Sequence, residues 1–379
     1  MKLLFASDSF KGTLSSEQTI ELLTKAAKEV FGECECDGVP IADGGEGTTD
    51  AVIAAACGEK IEVRVHGPLM EERDSFYGRL DERRAILEMA AASGLPMVPP
   101  SLRDPRNTTT YGTGELLRDA LDRGFTDISI AIGGSATNDG GMGCMRALGV
   151  KFLDSEGREL EGRGSDLEKV AHIDCSGMDD RISGVKFTAM CDVNNPLCGK
   201  DGATYTFGKQ KGGTPEVLDE LERGMQNYRD VMIREFGIDP DEMPGSGAAG
   251  GLGAALLVFL HASLKSGIET VLDLIDFDKR LEGVSLVVTG EGRTDWQSCF
   301  GKVMQGVGNH CKKCGVPAVA LVGAMGEGAE QIFGHGIRSM MTTVNAVMPL
   351  EEALGNAEEL YYHGALRMFA FIKTGMELT

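Results

Sequence analysis

The chain has 379 residues, 42% of them apolar, enough for two domains of ordinary size with buried cores. Its formal charge of −21 opposes nucleic acid and anionic membrane, because binding either needs clustered Lys and Arg. No run of about eighteen apolar residues occurs, and residues 3–6 are too short for the apolar region of a secretory leader, so a cytoplasmic protein with no nucleic-acid or membrane partner is expected, as a monomer or homodimer. A small acidic substrate stays open, and would need a local basic pocket.

Residues 2–6 read as a buried strand. Ser15-Ser16-Glu17-Gln18 then caps a helix with Ile20, Leu22, Leu23, Ala26, Ala27 and Val30 on one face. Residues 38–42 read as a second strand, and Thr48 or Thr49 caps a helix over 50–56. Segments 60–66, 75–80 and 84–89 follow one another without helices, which predicts antiparallel pairing and an α+β region. Further on come a helix over 116–123, an apolar strand over 127–132, a helix from 142 to 148 and a strand over 186–190. An amphipathic helix spans 218–236, and the nearly all-round apolar stretch 248–264 reads as one buried helix. Strands over 285–289, 316–322 and 339–344 alternate with a helix over 302–313, and a long helix over 351–372 closes the chain. Strand–helix alternation implies a parallel sheet with helices on both faces and ligands beyond the strand carboxyl ends. The fold class is therefore α/β: a Rossmann-like parallel-sheet domain, 1–62 and 281–379, with a second α+β domain, 63–280, inserted. Strand 127–132 fits either sheet.

Ten cysteines match no disulfide framework, and Cys311-Lys312-Lys313-Cys314 lacks a second pair to complete a zinc site. The six histidines form no catalytic or metal signature. What stands out is a set of glycine-rich strand-end loops. Ile41 to Asp50 places Asp43, Glu46 and Asp50 among three glycines. It reads either as a plain turn or as a site for a cation that carries a polyanion. Gly133-Gly134-Ser135-Ala136-Thr137 follows a strand and leads to a helix. Its amides and hydroxyls suit a phosphate cradle, and the plainer reading is a sharp turn. Asp8-Ser9-Phe10-Lys11-Gly12 offers an acid, a hydroxyl and a cation at a strand end. Asp192, beside two Asn at another strand end, is placed to accept a proton or, equally, to close an Asx turn. Phe207 to Gly213, with Lys209 and Lys211, is a local basic exception. Gly290-Glu291-Gly292-Arg293 and Gly301-Lys302 again mix acids and bases. Gly245 to Gly250 spells GxGxxG, but no strand precedes it, so a dinucleotide fingerprint fails there. No Walker A loop or protein-kinase motif occurs. Carboxylates for Mg²⁺, amides and cations for phosphate, and one acid for an acceptor hydroxyl are what phosphoryl transfer needs.

These segments together resemble the type 1 glycerate kinase family. The resemblance runs in order through DSFKGTLS from Asp8, PIADGGEGT from Pro40, EMAAASGLPMVPP from Glu88 and TTTYGTGEL from Thr108. It continues through IGGSATNDGG from Ile132, CDVNNPLCG from Cys191, the stretches 207–212 and 244–257, and 290–302. It covers nearly the whole chain. Where this chain has Lys209, Ser246, Trp296 and Thr294, the family more often has Pro, Ala, Gly and Leu. The resemblance implies an ATP- and Mg²⁺-dependent enzyme that makes 2-phosphoglycerate, with two α/β domains and its active site in the cleft between them.

The expected reaction is ATP-dependent phosphorylation of D-glycerate. Asp43 and Glu46 would hold Mg²⁺. Gly133, Gly134, Ser135 and Thr137 would cradle phosphate, with Lys211 as a further phosphate contact. Ser9, Lys11 and Arg293 would bind the substrate, Lys11 also acting on the transferring group. Asp192, chosen on its chemistry, would take the hydroxyl proton. Residues alone leave open whether the 2- or the 3-hydroxyl reacts. A nicotinamide-dependent hydroxy-acid oxidoreductase and a small-acid binding protein are the alternatives.

Overall fold

The computed structural model describes residues 1–378 other than Lys11, Glu46 and Phe300, so the roles expected of Lys11 and Glu46 lie outside the described residues. Two compact units result: Met1–Asp43, Ala54–Ala56 and Gly267–Thr379 form one, Gly44–Ile53 and Cys57–Ser266 the other.

The first unit is built on five parallel strands: Lys2–Phe5, Glu35–Gly38, Leu286–Thr289, Ala318–Val322 and Ile337–Thr342. Numbered by chain order, they lie 2-1-3-4-5 across the sheet. This is a doubly wound order, and its switch point falls between the first and third strands. The Ser16–Phe31 helix starts at an observed capping box: Gln18 N donates to Ser15 Oγ at 3.2 Å, and Ser15 N donates to Gln18 Oε1 at 2.8 Å. That helix and the Ala357–Glu377 helix cover one sheet face, burying Leu3, Phe5, Val288, Leu23 and Phe369 in one core. A fully buried side chain such as Phe369 contributes about 1.5–3 kcal/mol from burial. The Val303–Cys314 helix packs against the third and fourth strands and the Gly267–Leu274 helix.

Three expectations are corrected here. The second strand is Glu35–Gly38 rather than 38–42, because its ladder ends where Lys2–Phe5 ends, at Val39 N to Phe5 O. The closing helix breaks at Asn356 into Leu350–Gly355 and Ala357–Glu377, beside a glycine, a poor helix interior residue. The unit edges also shift. Glu59–His66 pairs along its length with Glu72–Arg79 and so joins the second unit, while Gly267–Leu274 joins the first through its helix contact.

A charge cluster ties the Gly267–Leu274, Phe277–Arg280 and Val303–Cys314 helices. His310 Nδ1 lies 2.5 Å from Asp278 Oδ1, and Nε2 lies 3.2 Å from Glu269 Oε2. Donating to the Glu269 carboxylate, and next to that of Asp278, holds the imidazole proton and raises its pKa above the ordinary 6.5, against the effect of burial. A raised folded-state pKa contributes stability that is complete below the unfolded value and lost as pH rises through the folded one. The thermal midpoint of the wild type should therefore fall more steeply from about pH 6.5 upward than that of His310→Gln, by calorimetry. Parallel curves would show that the cluster contributes nothing.

The second unit carries a six-stranded mixed sheet. Its order is Ser263–Lys265, Lys186–Met190, Asp127–Ala131, Arg84–Glu88, Glu72–Arg79, Glu59–His66. The first four run parallel and Glu72–Arg79 runs antiparallel to both its neighbours, and Asp127–Ala131 belongs to this sheet. The expected single helix 248–264 is a correction too. Ala249, Gly250 and Gly251 adopt left-handed backbone, the helix proper is Leu252–Leu260, and Ser263–Lys265 pairs as a strand. Among the described residues no helix is long and apolar enough to cross a membrane. All ten cysteines are free thiols.

Candidate active site

In the first unit every parallel strand delivers its following loop to one edge. Asp8 N donates to Gly290 O at 2.9 Å, tying together the two loops at the switch point. Gly323 N donates to Glu291 O, and Ala324 N to Gly292 O, both at 3.1 Å, which adds the fourth strand's loop. These loops enclose a pocket of ≈ 520 Å³, within the range of small-molecule sites. Asp8, Ser9, Asp43, Glu291, Arg293 and Lys302 line it, with apolar side chains from the later loops. The structure thus brings Ser9, Asp43 and Arg293 to one pocket.

Asp8 accepts from Ser9 N at 2.7 Å and from Ser9 Oγ at 3.3 Å. Arg293 Nε lies 3.7 Å from Asp295 Oδ2. Glu291 is buried and accepts from Thr294 Oγ1 at 3.0 Å. Burial raises its pKa, opposed by hydrogen bonds from Ser298 and Thr294 and by the Lys302 charge. Asp8, Glu291 and Lys302 line the pocket as well, beyond the residues given roles from the sequence. The signal was present: all three stand in strand-end glycine loops. Strand order, which brings those loops together, was the missing piece.

The other expected residues that the structure describes lie in the second unit. Gly133 and Gly134 are exposed, while Ser135 and Thr137 are buried. The two glycine-rich loops meet here: a Cβ added to Gly133 would sit 3.4 Å from Gly44 O and 3.7 Å from Gly45 Cα. Buried Glu88 holds the start of the next helix, accepting from Gly47 N at 3.3 Å and Thr49 N at 2.6 Å. Lys211, expected on phosphate, is wholly buried instead. Its ammonium donates to Thr137 O at 2.6 Å. Burial lowers its pKa to about 7, against the pull of Asp139. It supports the loop from inside. Gly250 supports it from another side: its φ is +69°, and a Cβ there would lie 2.0 Å from Thr137 O. Asp192 follows the Lys186–Met190 strand and is exposed.

Among the described residues, no three His, Cys, Asp or Glu side chains are placed to hold a metal ion together. One or two carboxylates with the rest of the shell from water and substrate is the usual arrangement for Mg²⁺, and the oxygen donors of Asp43, Asp8 and Glu291 suit that hard cation.

A doubly wound sheet whose switch-point loops gather carboxylates, cations and a hydroxyl in one pocket defines an α/β protein with a small-molecule site where this architecture binds its ligands. The glycerate kinase family profile matches residues 3–373. The chain is 43% identical to glycerate kinase of Bacillus subtilis strain 168, over 98% of each chain. It is 41% identical to glycerate 2-kinase of Escherichia coli K12, over 99% of each. A crystal structure assigned as glycerate kinase 2 from Salmonella typhimurium LT2 superposes with a TM-score of 0.89 at 42% identity, covering 100% of this chain and 99% of that one. The chain belongs to the glycerate kinase family and is a phosphotransferase. That membership removes the oxidoreductase and binding-protein alternatives.

Proposed function

We propose that the enzyme transfers the γ-phosphoryl group of ATP to the 2-hydroxyl of D-glycerate, giving 2-phosphoglycerate and ADP. The observation that carries this reading is the pocket at the switch point, where Asp8, Asp43 and Glu291 share walls with Arg293 and Lys302. Phosphoryl transfer uses this combination: carboxylates for the metal, cations for the charge on the transferring group. The 2-position is supported by the name of the E. coli relative, a glycerate 2-kinase. Free thiols throughout fit a reducing cytoplasm.

When bound, Mg²⁺ would neutralise the phosphate oxygens. Asp43, with Glu46, would hold it. Ser9, Lys11 and Arg293 bind glycerate, and the exposed Gly133–Gly134 backbone faces phosphate. The 2-hydroxyl oxygen bonds to the γ-phosphorus as the bond to the bridging oxygen of ADP breaks, and the hydroxyl proton passes to Asp192.

Two measurements test this. An ADP-release assay with glycerate, lactate and tartronate, with and without Mg²⁺, should show turnover with glycerate and Mg²⁺, and ³¹P NMR of the product should show the 2-phosphate. Asp192→Asn should lower kcat by about 10²–10⁴, the usual loss of a general base, and near wild-type kcat would remove Asp192 from that role.

A further inference from the structure

The pocket of the first unit is two-sided, and its sides follow the strand order. The charged side chains all come from the loops after the first, second and third strands. The loops after the fourth and fifth strands, and the helix that follows, contribute Met325, Val344, Leu350, Ala353 and Leu354. Several of these are uncovered: Leu350 is 74% exposed, Met325 50% and Leu354 49%. Leu350 and Leu354 stand four residues apart on one helix and therefore share a face, with the small Ala353 beside them.

Glycerate does not account for this wall. A three-carbon hydroxy acid is polar at every carbon and has no apolar surface to lay on two leucines and a methionine. Large apolar side chains left open on one side of a concave pocket mark a ligand site. Such a ligand must be amphipathic, with an apolar body that meets the wall and an anionic end that meets Arg293 and Lys302. A nucleoside triphosphate has that form, and a flat aromatic base suits a wall where a small side chain lies beside leucines. We infer that the Met325–Leu354 wall seats the base of the nucleoside triphosphate, with its phosphates directed to the Arg293 and Lys302 side of the same pocket. The inference rests on the proposed nucleotide-dependent transfer and adds where the nucleotide sits.

The test uses the full-length enzyme. Photolabelling of the wild type with 8-azido-ATP should mark peptides from residues 323–357, and excess ATP should protect them. Leu354→Glu sets a charge on the wall. It should raise KM for ATP about tenfold or more, corresponding to about 1.4 kcal/mol, and leave KM for glycerate within about twofold. Label confined to the second unit, or an unchanged KM for ATP in a variant that melts as the wild type does, overturns the inference while nucleotide-dependent transfer stands. If the wild type releases no ADP with glycerate, the transfer reading itself fails, and the base assignment with it.

Discussion

Asp139→Ala will cost the second unit about 3–5 kcal/mol of stability, the loss seen when one member of a buried charged network is removed. Asp139 is fully buried. Its carboxylate accepts from Thr110 N at 2.7 Å, Thr110 Oγ1 at 2.8 Å, Gly141 N at 3.0 Å and Gly143 N at 3.2 Å. Those bonds fasten the start of the Tyr111–Asp122 helix to the start of Met142–Ala147. Burial raises its pKa, the hydrogen bonds oppose that, and the Lys211 ammonium feels its charge. Alanine leaves buried amides without an acceptor, each costing about 1–3 kcal/mol, and leaves Lys211 with a weaker counter-charge. Urea unfolding followed by far-UV circular dichroism, with hydrogen exchange at the Gly141 and Gly143 amides, reads the effect. A loss under about 1 kcal/mol, as for an ordinary surface substitution, would show that the network is not needed for folding.

Asp43→Asn will lower kcat/KM by about 10²–10³ while leaving the thermal midpoint near that of the wild type, since metal-held charge stabilisation is worth several kcal/mol. Asp43 lines the pocket at the end of the stretch that follows the second strand. It is the last residue of the first unit before the chain enters the second. Asparagine keeps the shape and one acceptor oxygen and removes the charge, so the change isolates the pull that the proposed role gives the carboxylate on Mg²⁺. The Mg²⁺ concentration giving half-maximal rate should rise together with the fall in rate. A fall in rate at an unchanged Mg²⁺ requirement would assign Asp43 to substrate instead of metal.

The parts of the fold legible in the sequence are those decided within a turn or two of chain. Ser15 and Gln18 mark a helix start because the capping box closes over three residues. The buried strands over 127–131 and 186–190 show as short apolar runs bounded by charge or glycine. Errors fall where distant contacts decide. Residues 39–42 are as apolar as a strand, yet among the described residues no strand ladder continues past the bond from Val39 N to Phe5 O. The 248–264 stretch looks like one helix, yet the left-handed turn at 249–251 packs the chain under the 133–141 loop, with Gly140 N bonded to Gly250 O. Ala249 takes φ +53° there, a conformation that local preference opposes.

The same division holds for the site. Composition and motif chemistry alone determined that carboxylates, glycines and a few cations sit at strand ends and suit phosphate chemistry, because side-chain chemistry and strand periodicity are local properties. Only the tertiary structure decided which of them meet. The 2-1-3-4-5 order sets the loops of Asp8 and Glu291 side by side though 283 residues separate them in the chain. It also brings apolar side chains of the later loops into the same pocket as the charges, while in the second unit packing turns Lys211 inward to the Thr137 carbonyl. Strand order depends on hydrophobic faces finding partners across the whole chain, and no local pattern encodes that choice.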